Sequence, residues 1–232
     1  MNETLKVSKQ RKWTESEAHS SWQIFKIMAE FVDGFETLNK IGPCISIFGS
    51  ARTKPGTRYY ELAVQTSRRL SEEGFGIITG GGPGIMEAAN KGAQLAGGKS
   101  VGLNIELPFE QKSNPYIDSD KSMHFDYFFI RKVMFTKYAQ AFVMFPGGYG
   151  TMDEMFEVVT LIQTHKIERT PMVLVGKDYW SGLLDWIRKS MLEAENNIKV
   201  DDLDLFVLFD TPEEVASYMV SYYAKNPLKP NF

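Results

Sequence analysis

From Ile41 to the C-terminus the chain repeats one pattern: a short apolar run, a turn, and a longer amphipathic stretch. Runs this short suit strands buried on both faces, and their alternation with amphipathic stretches predicts βαβ units wound into a parallel sheet covered by helices on both faces. Seven strands are expected, at Cys44–Phe48, Gly76–Thr79, Ser100–Asn104, His124–Tyr127, Ala141–Phe145, Met172–Val175 and Phe206–Phe209. Helices are expected at about Thr57–Glu73, Ile85–Leu95, Phe129–Tyr138, Thr151–Thr164, Tyr179–Met191 and Pro212–Tyr223. A further amphipathic helix, Ser16–Leu38, precedes the first strand, with Trp22, Ile24, Phe25, Met28, Phe31, Val32 and Phe35 on or near one face, packed on the domain or on a second subunit. The expected organisation is an extension over 1–40 and one α/β domain over 41–232.

A hydrophobic fraction of 43% supports a sizeable core, and a formal net charge of −3 gives no bulk attraction to polymeric nucleic acid or an anionic membrane. The single cysteine, Cys44, excludes a disulfide framework and a multi-cysteine zinc site and suits the cytoplasm. The Met1–Trp13 segment is polar and basic with no apolar run behind it, so neither secretion nor membrane insertion is expected. The long irregular segment, Glu106–Ser122, reads as a lid or rim.

In an open parallel sheet, ligands sit beyond the carboxyl ends of the strands, and three turns there are unusual. Phe48-Gly49-Ser50-Ala51-Arg52 ends a strand with a glycine, a hydroxyl and a guanidinium. Thr79-Gly80-Gly81-Gly82-Pro83-Gly84 precedes a helix opening Ile85-Met86-Glu87, and Phe145-Pro146-Gly147-Gly148-Tyr149-Gly150-Thr151 precedes Met152-Asp153-Glu154. Glycines let backbone N–H groups approach an anion, and a helix N-terminus adds partial positive charge, so each turn could hold phosphate; each could equally be only a tight turn. Neither glycine-rich turn fits G-x-G-x-x-G/A, since Ile85 and Asp153 stand at the third position, and no G-K-[ST] is present. A mononucleotide therefore fits better than a dinucleotide or a triphosphate.

By spacing alone, Thr151 to Glu154 is a capping box, with Glu154 bonding the Thr151 backbone N–H. Glu87 is likewise an acidic residue favourable to a first helical turn. Against that, carboxylates at two turns suited to anions would repel a phosphate unless they serve another part of the ligand, such as a ribose. Arg131-Lys132 near a helix start opposes the dipole and calls for an anionic partner, or for ordinary surface pairing. His19, His124 and His165 lack metal-ligand spacing, and no nucleophile elbow is present.

Taken together, Gly80-Gly81-Gly82-Pro83-Gly84-Ile85-Met86-Glu87-Ala88, Arg131-Lys132 and Pro146-Gly147-Gly148-Tyr149-Gly150-Thr151-Met152-Asp153-Glu154 resemble the LOG ("Lonely guy") family of cytokinin-activating phosphoribohydrolases. The resemblance runs from about Ile41 toward the C-terminus, and the N-terminal helix is similar to the longer bacterial form. The older label "lysine decarboxylase-like" is set aside, since no clear pyridoxal phosphate lysine motif is present. The resemblance implies a Rossmann-like doubly wound fold, a homodimer or larger homo-oligomer, and hydrolysis of the N-glycosidic bond of a nucleoside 5′-monophosphate, either N6-substituted AMP such as isopentenyl-AMP or AMP itself. It implies no metal or organic cofactor. It puts Arg131 and Glu154 at the positions of the catalytic pair and Gly147, Gly148, Gly150 and Thr151 in the phosphate-binding turn. Glu87 would hold ribose hydroxyls and Asp153 would share ribose or water contacts, with Ser50, Gly81, Gly82 and Lys132 also against substrate. Where shorter members carry Met-His-x-Arg-Lys, Phe128-Phe129-Ile130 precede Arg131 here, which bears on the base pocket.

Cleaving such a bond develops positive charge at C1′ and negative charge on the departing base, so a carboxylate beside C1′ stabilises the transition state and can orient water. Competing readings are a broader nucleotide nucleosidase, a non-catalytic nucleotide sensor or carrier on the same fold, and an NAD-dependent redox enzyme.

Overall fold

The computed structural model describes residues 16–107 and 113–232, with side-chain surroundings from residue 22 onward. The Met1–Trp13 segment, the His19 side chain and the middle of the Glu106–Ser122 loop lie outside the described residues. The strands are β1 (Cys44–Phe48), β2 (Gly76–Thr79), β3 (Ser100–Ile105), β4 (Ser122–Phe125), β5 (Ala139–Met144), β6 (Met172–Val175) and β7 (Phe206–Phe209). The helices are α1 (Ser16–Leu38), α2 (Arg58–Glu72), α3 (Ile85–Leu95), α4 (Phe128–Tyr138), α5 (Tyr149–Gln163), α6 (Lys177–Trp186) and α7 (Pro212–Tyr223); α6 runs on as a π-helical segment, Ile187–Ala194.

All seven strands are parallel, in the order β4-β3-β2-β1-β5-β6-β7. This is a Rossmann-like, doubly wound sheet, and its order reverses between β1 and β5, where a crevice opens at the strands' carboxyl ends. The central strands are buried along their whole length, which is why they read as unbroken apolar runs. At the edges, β4 and β7 are half-buried, so polar Ser122 can open β4.

Alternate residues of each strand feed two cores. Ile45, Ile47, Val143 and Val173 pack with Tyr60 of α2, Ile85 of α3 and Val215 of α7. Phe48, Phe142, Met144 and Leu174 pack on the other face with Leu38 of α1, Ile130 of α4, Met155 of α5 and Trp180 of α6. Each fully buried large aliphatic or aromatic side chain contributes roughly 1.5–3 kcal/mol of burial free energy.

Several boundaries differ from the sequence reading. β4 starts two residues before His124 because Gly102–Ile105 of β3 pairs in register with Ser122–Phe125, and β5 starts at Ala139 rather than Ala141. α5 begins at Tyr149, not Thr151, because Gly148 is its N-cap: the Thr151 and Met152 N–H groups both donate to Gly148 O, at 3.0 and 3.1 Å. That corrects the capping-box reading, since the Thr151 N–H is already taken and Glu154 lies more than a turn into the helix. On α1, Phe31 and Phe35 pack against the core with Ile27 and Leu38, whereas Trp22, Ile24, Phe25, Met28 and Val32 of the expected face are exposed. No described helix is long and apolar enough to cross a membrane.

Candidate active site

The three unusual turns meet at the switch point and are tied together through Ser50. Its N–H donates to Pro146 O and its carbonyl accepts from Ile85 N, both at 3.0 Å, so the β1–α2 turn bridges the other two. Gly84 makes this closure possible: it sits at φ +72°, and a Cβ there would strike Ser50 O and the Ala51 backbone. At the third turn, a Cβ on Gly147 would collide with the Thr151 side chain.

Above these turns lies a cleft of about 740 Å³. It is lined by Gly147, Gly148, Gly150, Thr151, Asp153 and Glu154 at and before the start of α5, and by Ser50, Arg52, Gly80 and Arg131. An apolar wall of Met86, Ile105, Leu107, Phe128 and Met152 completes it. The larger depression, about 1150 Å³, lies elsewhere, around the α5–β6 connection, and shares none of these residues.

Arg131 is held rigidly. Its Nε donates to Leu103 O at 2.6 Å and one terminal nitrogen to Gly80 O at 3.3 Å, while the guanidinium stacks over Phe135 at 5.1 Å. Burial pulls its pKa down from the ordinary value, opposed by the Glu154 carboxylate. Glu154 is buried, 8% exposed. Burial pushes its pKa up to about 7, against the lowering effect of Lys132 and Arg131 and with the help of Glu157 and Asp153. A carboxyl whose pKa is raised to near neutrality beside a glycine-rich helix start suits acid–base chemistry.

The other expected residues fall into two groups. Ser50, Gly147, Gly148, Gly150, Thr151 and Asp153 line the cleft with Arg131 and Glu154. Lys132, Glu87, Gly81 and Gly82 lie outside its lining, and each has another engagement. Lys132 bonds Asp153 at 2.8 Å and Glu157 at 2.5 Å on the outer side of α5; burial works to lower its pKa, but these bonds outweigh it and raise it. Glu87 accepts a 2.7 Å hydrogen bond from the Tyr60 hydroxyl, which burial and this carboxylate keep protonated. The Gly81 N–H donates to Thr79 Oγ1, and the Gly81 and Gly82 carbonyls accept from Asn114. The second turn thus contributes Gly80 and the Gly84 closure to the site, while Gly81 and Gly82 bond to the protein itself.

Sequence reasoning missed Tyr179. It lines the cleft from the first turn of α6 and donates a 2.5 Å hydrogen bond to Gly147 O. The available signal was position: Gly176-Lys177-Asp178-Tyr179 follows β6 directly, at the same carboxyl edge as the other turns.

Fold and cleft define a parallel α/β protein with a glycine-rich turn at a helix start, a buried carboxyl and a buried guanidinium lining one cleft at its switch point. Residues 86–219 match the family described as possible lysine decarboxylase. That span exceeds half of the chain, which belongs to this family, the LOG family. Among its relatives is the probable cytokinin riboside 5′-monophosphate phosphoribohydrolase LOGL5 of Oryza sativa subsp. japonica, 34% identical over 150 residues that cover 61% of this chain. The match spans only 58% of that relative's length. Cytokinin riboside 5′-monophosphate phosphoribohydrolase LOG7 of Arabidopsis thaliana is 31% identical over 65% of this chain and 69% of its own. Among solved structures, the molybdenum cofactor carrier protein of Chlamydomonas reinhardtii superposes with a TM-score of 0.57 at 19% identity, over 79% of this chain and 99% of that one. The molybdenum cofactor binding protein of Rippkaea orientalis gives 0.55 at 19%, over 78% and 95%. These two likenesses are of fold alone.

Proposed function

We propose that this chain hydrolyses the N-glycosidic bond of a nucleoside 5′-monophosphate, releasing the free base and ribose 5-phosphate, with N6-substituted AMP such as isopentenyl-AMP and AMP itself as the substrates to compare. The observation that carries this reading is Glu154: a buried carboxyl with its pKa near 7, one and a half turns inside a helix whose N-terminus faces the same cleft. The family membership and the names of the relatives support it.

The 5′-phosphate binds at the start of α5, where the Gly148 to Gly150 segment and the Thr151 hydroxyl meet the positive end of the helix dipole. That anchor positions C1′ against Glu154. As the C1′–N bond breaks, its electron pair leaves with the base, which takes a proton from solvent that Glu154 later gives back, and the ionised Glu154 stabilises the cationic sugar. Water adds to C1′ and gives its proton to Glu154, so one water is consumed and no metal or cofactor takes part. Arg131, fixed in charge and in place by two carbonyls, offsets the negative charge of Glu154 and of the departing base. The apolar wall at Ile105, Leu107 and Phe128 faces the base and accommodates an N6-substituent.

We place the enzyme in the cytoplasm as a homodimer or larger homo-oligomer. The support is Cys44, a buried free thiol, and a groove of about 520 Å³ on α5 where Tyr149, Met152, Phe156 and Leu161 stand beside Lys132, Asp153, Glu157 and Thr160, and which shares Tyr149, Met152 and Asp153 with the cleft. Tyr149 there is 96% exposed.

The test is chromatographic detection of free base and ribose 5-phosphate from AMP and isopentenyl-AMP, with Glu154→Gln as control. Release that disappears in the variant supports the assignment, and the ratio of rates names the preferred base. Saturable AMP binding with no release from either substrate refutes it and leaves a nucleotide-binding protein.

A further inference from the structure

The peptide unit joining Gly147 to Gly148 lies between two glycines at the head of α5. Neither residue has a Cβ to bias which way the unit faces. In a trans peptide the carbonyl and the N–H point in opposite directions, so whatever fixes the Gly147 carbonyl also fixes the Gly148 N–H. That N–H is among the first donors of α5, whereas the Thr151 and Met152 N–H groups are already spent on Gly148 O. The opposite orientation of the same unit would turn a carbonyl oxygen toward a bound anion and repel it.

One side chain decides between the two. The Tyr179 hydroxyl donates to Gly147 O at 2.5 Å. Tyr179 is itself braced: its ring meets Trp180 edge-on, with centroids 4.9 Å apart and planes at 86°, and Trp180 is fully buried with its indole N–H on Val175 O at 3.1 Å. The hydrogen bond therefore connects the first turn of α6 to the β5–α5 turn at the cleft. We infer that Tyr179 is a positioning residue that locks the Gly147–Gly148 peptide with its N–H available to the phosphate of the substrate. This inference rests on the cleft being a phosphate-monoester site, as proposed above.

The experiment compares the full-length wild-type chain with Tyr179→Phe, which keeps the ring and its Trp180 contact and removes the donor, and with Tyr179→Met as a second hydroxyl-free variant. Affinities for inorganic phosphate and ribose 5-phosphate are measured by calorimetry, steady-state kinetics with AMP, and adenosine binding as the unphosphorylated comparator; thermal melts confirm folding. Both variants are expected to bind phosphate and ribose 5-phosphate about fivefold more weakly, the loss of one hydrogen bond's net contribution. KM for AMP rises by the same factor, with kcat within about twofold and adenosine affinity unchanged. A merely structural role would weaken adenosine and AMP alike. Equal phosphate affinity in wild type and Tyr179→Phe overturns the role of Tyr179 while leaving the hydrolase reading intact. Phosphate binding without base release overturns the hydrolase reading alone, and a wild-type chain that binds neither anion overturns both.

Discussion

Replacing Glu154 with glutamine should make the protein progressively more stable relative to wild type as pH rises from 5 to 8. Burial raises this carboxyl from 4.5 to about 7. A carboxyl whose pKa is higher folded than unfolded contributes stability that is complete below pH 4.5 and is lost as pH rises through 7, because the unfolded chain ionises first. At ~1.4 kcal/mol per pKa unit the full loss is about 3 kcal/mol, of which about 2.5 kcal/mol falls between pH 5 and pH 8. Glu154→Gln carries no titrating group at this position and is spared that loss, whatever constant offset comes from leaving Arg131 beside a neutral amide. The stability difference between variant and wild type should therefore grow by about 2.5 kcal/mol from pH 5 to pH 8. For a chain of this size that is roughly 5–10 °C in Tm. Urea unfolding of both proteins at pH 5, 6, 7 and 8 reads the difference directly. Curves that stay parallel across the range would refute the elevated carboxyl and, with it, the acid–base role built on it.

Three further outcomes follow from the site. Because the hydrolysis uses the ionised carboxyl, kcat for AMP should fall about tenfold for each pH unit below 7, and a rate that stays flat to pH 5 would count against Glu154 as the base. Arg131→Lys should lower kcat/KM by at least about a hundredfold, since an ammonium cannot reach both Leu103 O and Gly80 O while facing the cleft; near-normal kinetics would show that charge alone suffices. Gly84→Ala should cost about 2 kcal/mol or more in urea unfolding, because the residue sits at φ +72° and the new methyl meets Ser50 O and the Ala51 backbone; an unchanged midpoint would mean that the β1–α2 turn yields.

The fold was largely legible because buried parallel strands and amphipathic helices each leave a local period in the chain. Seven spans, β1, β2, β6, β7, α1, α3 and α7, fall where periodicity and turn residues put them. The site was legible only in part, and the failures share one cause: they depend on contacts distant in sequence. Gly81 and Gly82 look like phosphate donors in isolation, but Asn114, over thirty residues later, bonds the carbonyls of both. Glu87 looks available for a ligand until Tyr60 of the neighbouring helix is brought against it. Trp22, Phe25 and Phe31 share a helix whose sequence is apolar on more than one side, and only packing tells which side faces the sheet.

Glu154 shows how a local rule can be satisfied in letter and overridden in space. The Thr-x-x-Glu spacing of a capping box holds in the sequence, yet capping needs Thr151 to be the first residue outside the helix. Here Gly147 and Gly148 let the chain turn sharply enough for α5 to begin two residues earlier, at Tyr149. That shift carries Glu154 from the solvated helix end into the cleft wall, where it is 8% exposed and its carboxyl rises to about 7. The same glycines that shape the proposed phosphate turn thus also set the protonation behaviour of the carboxyl beside it, so changes that move the start of α5 should shift phosphate affinity and the Glu154 titration together.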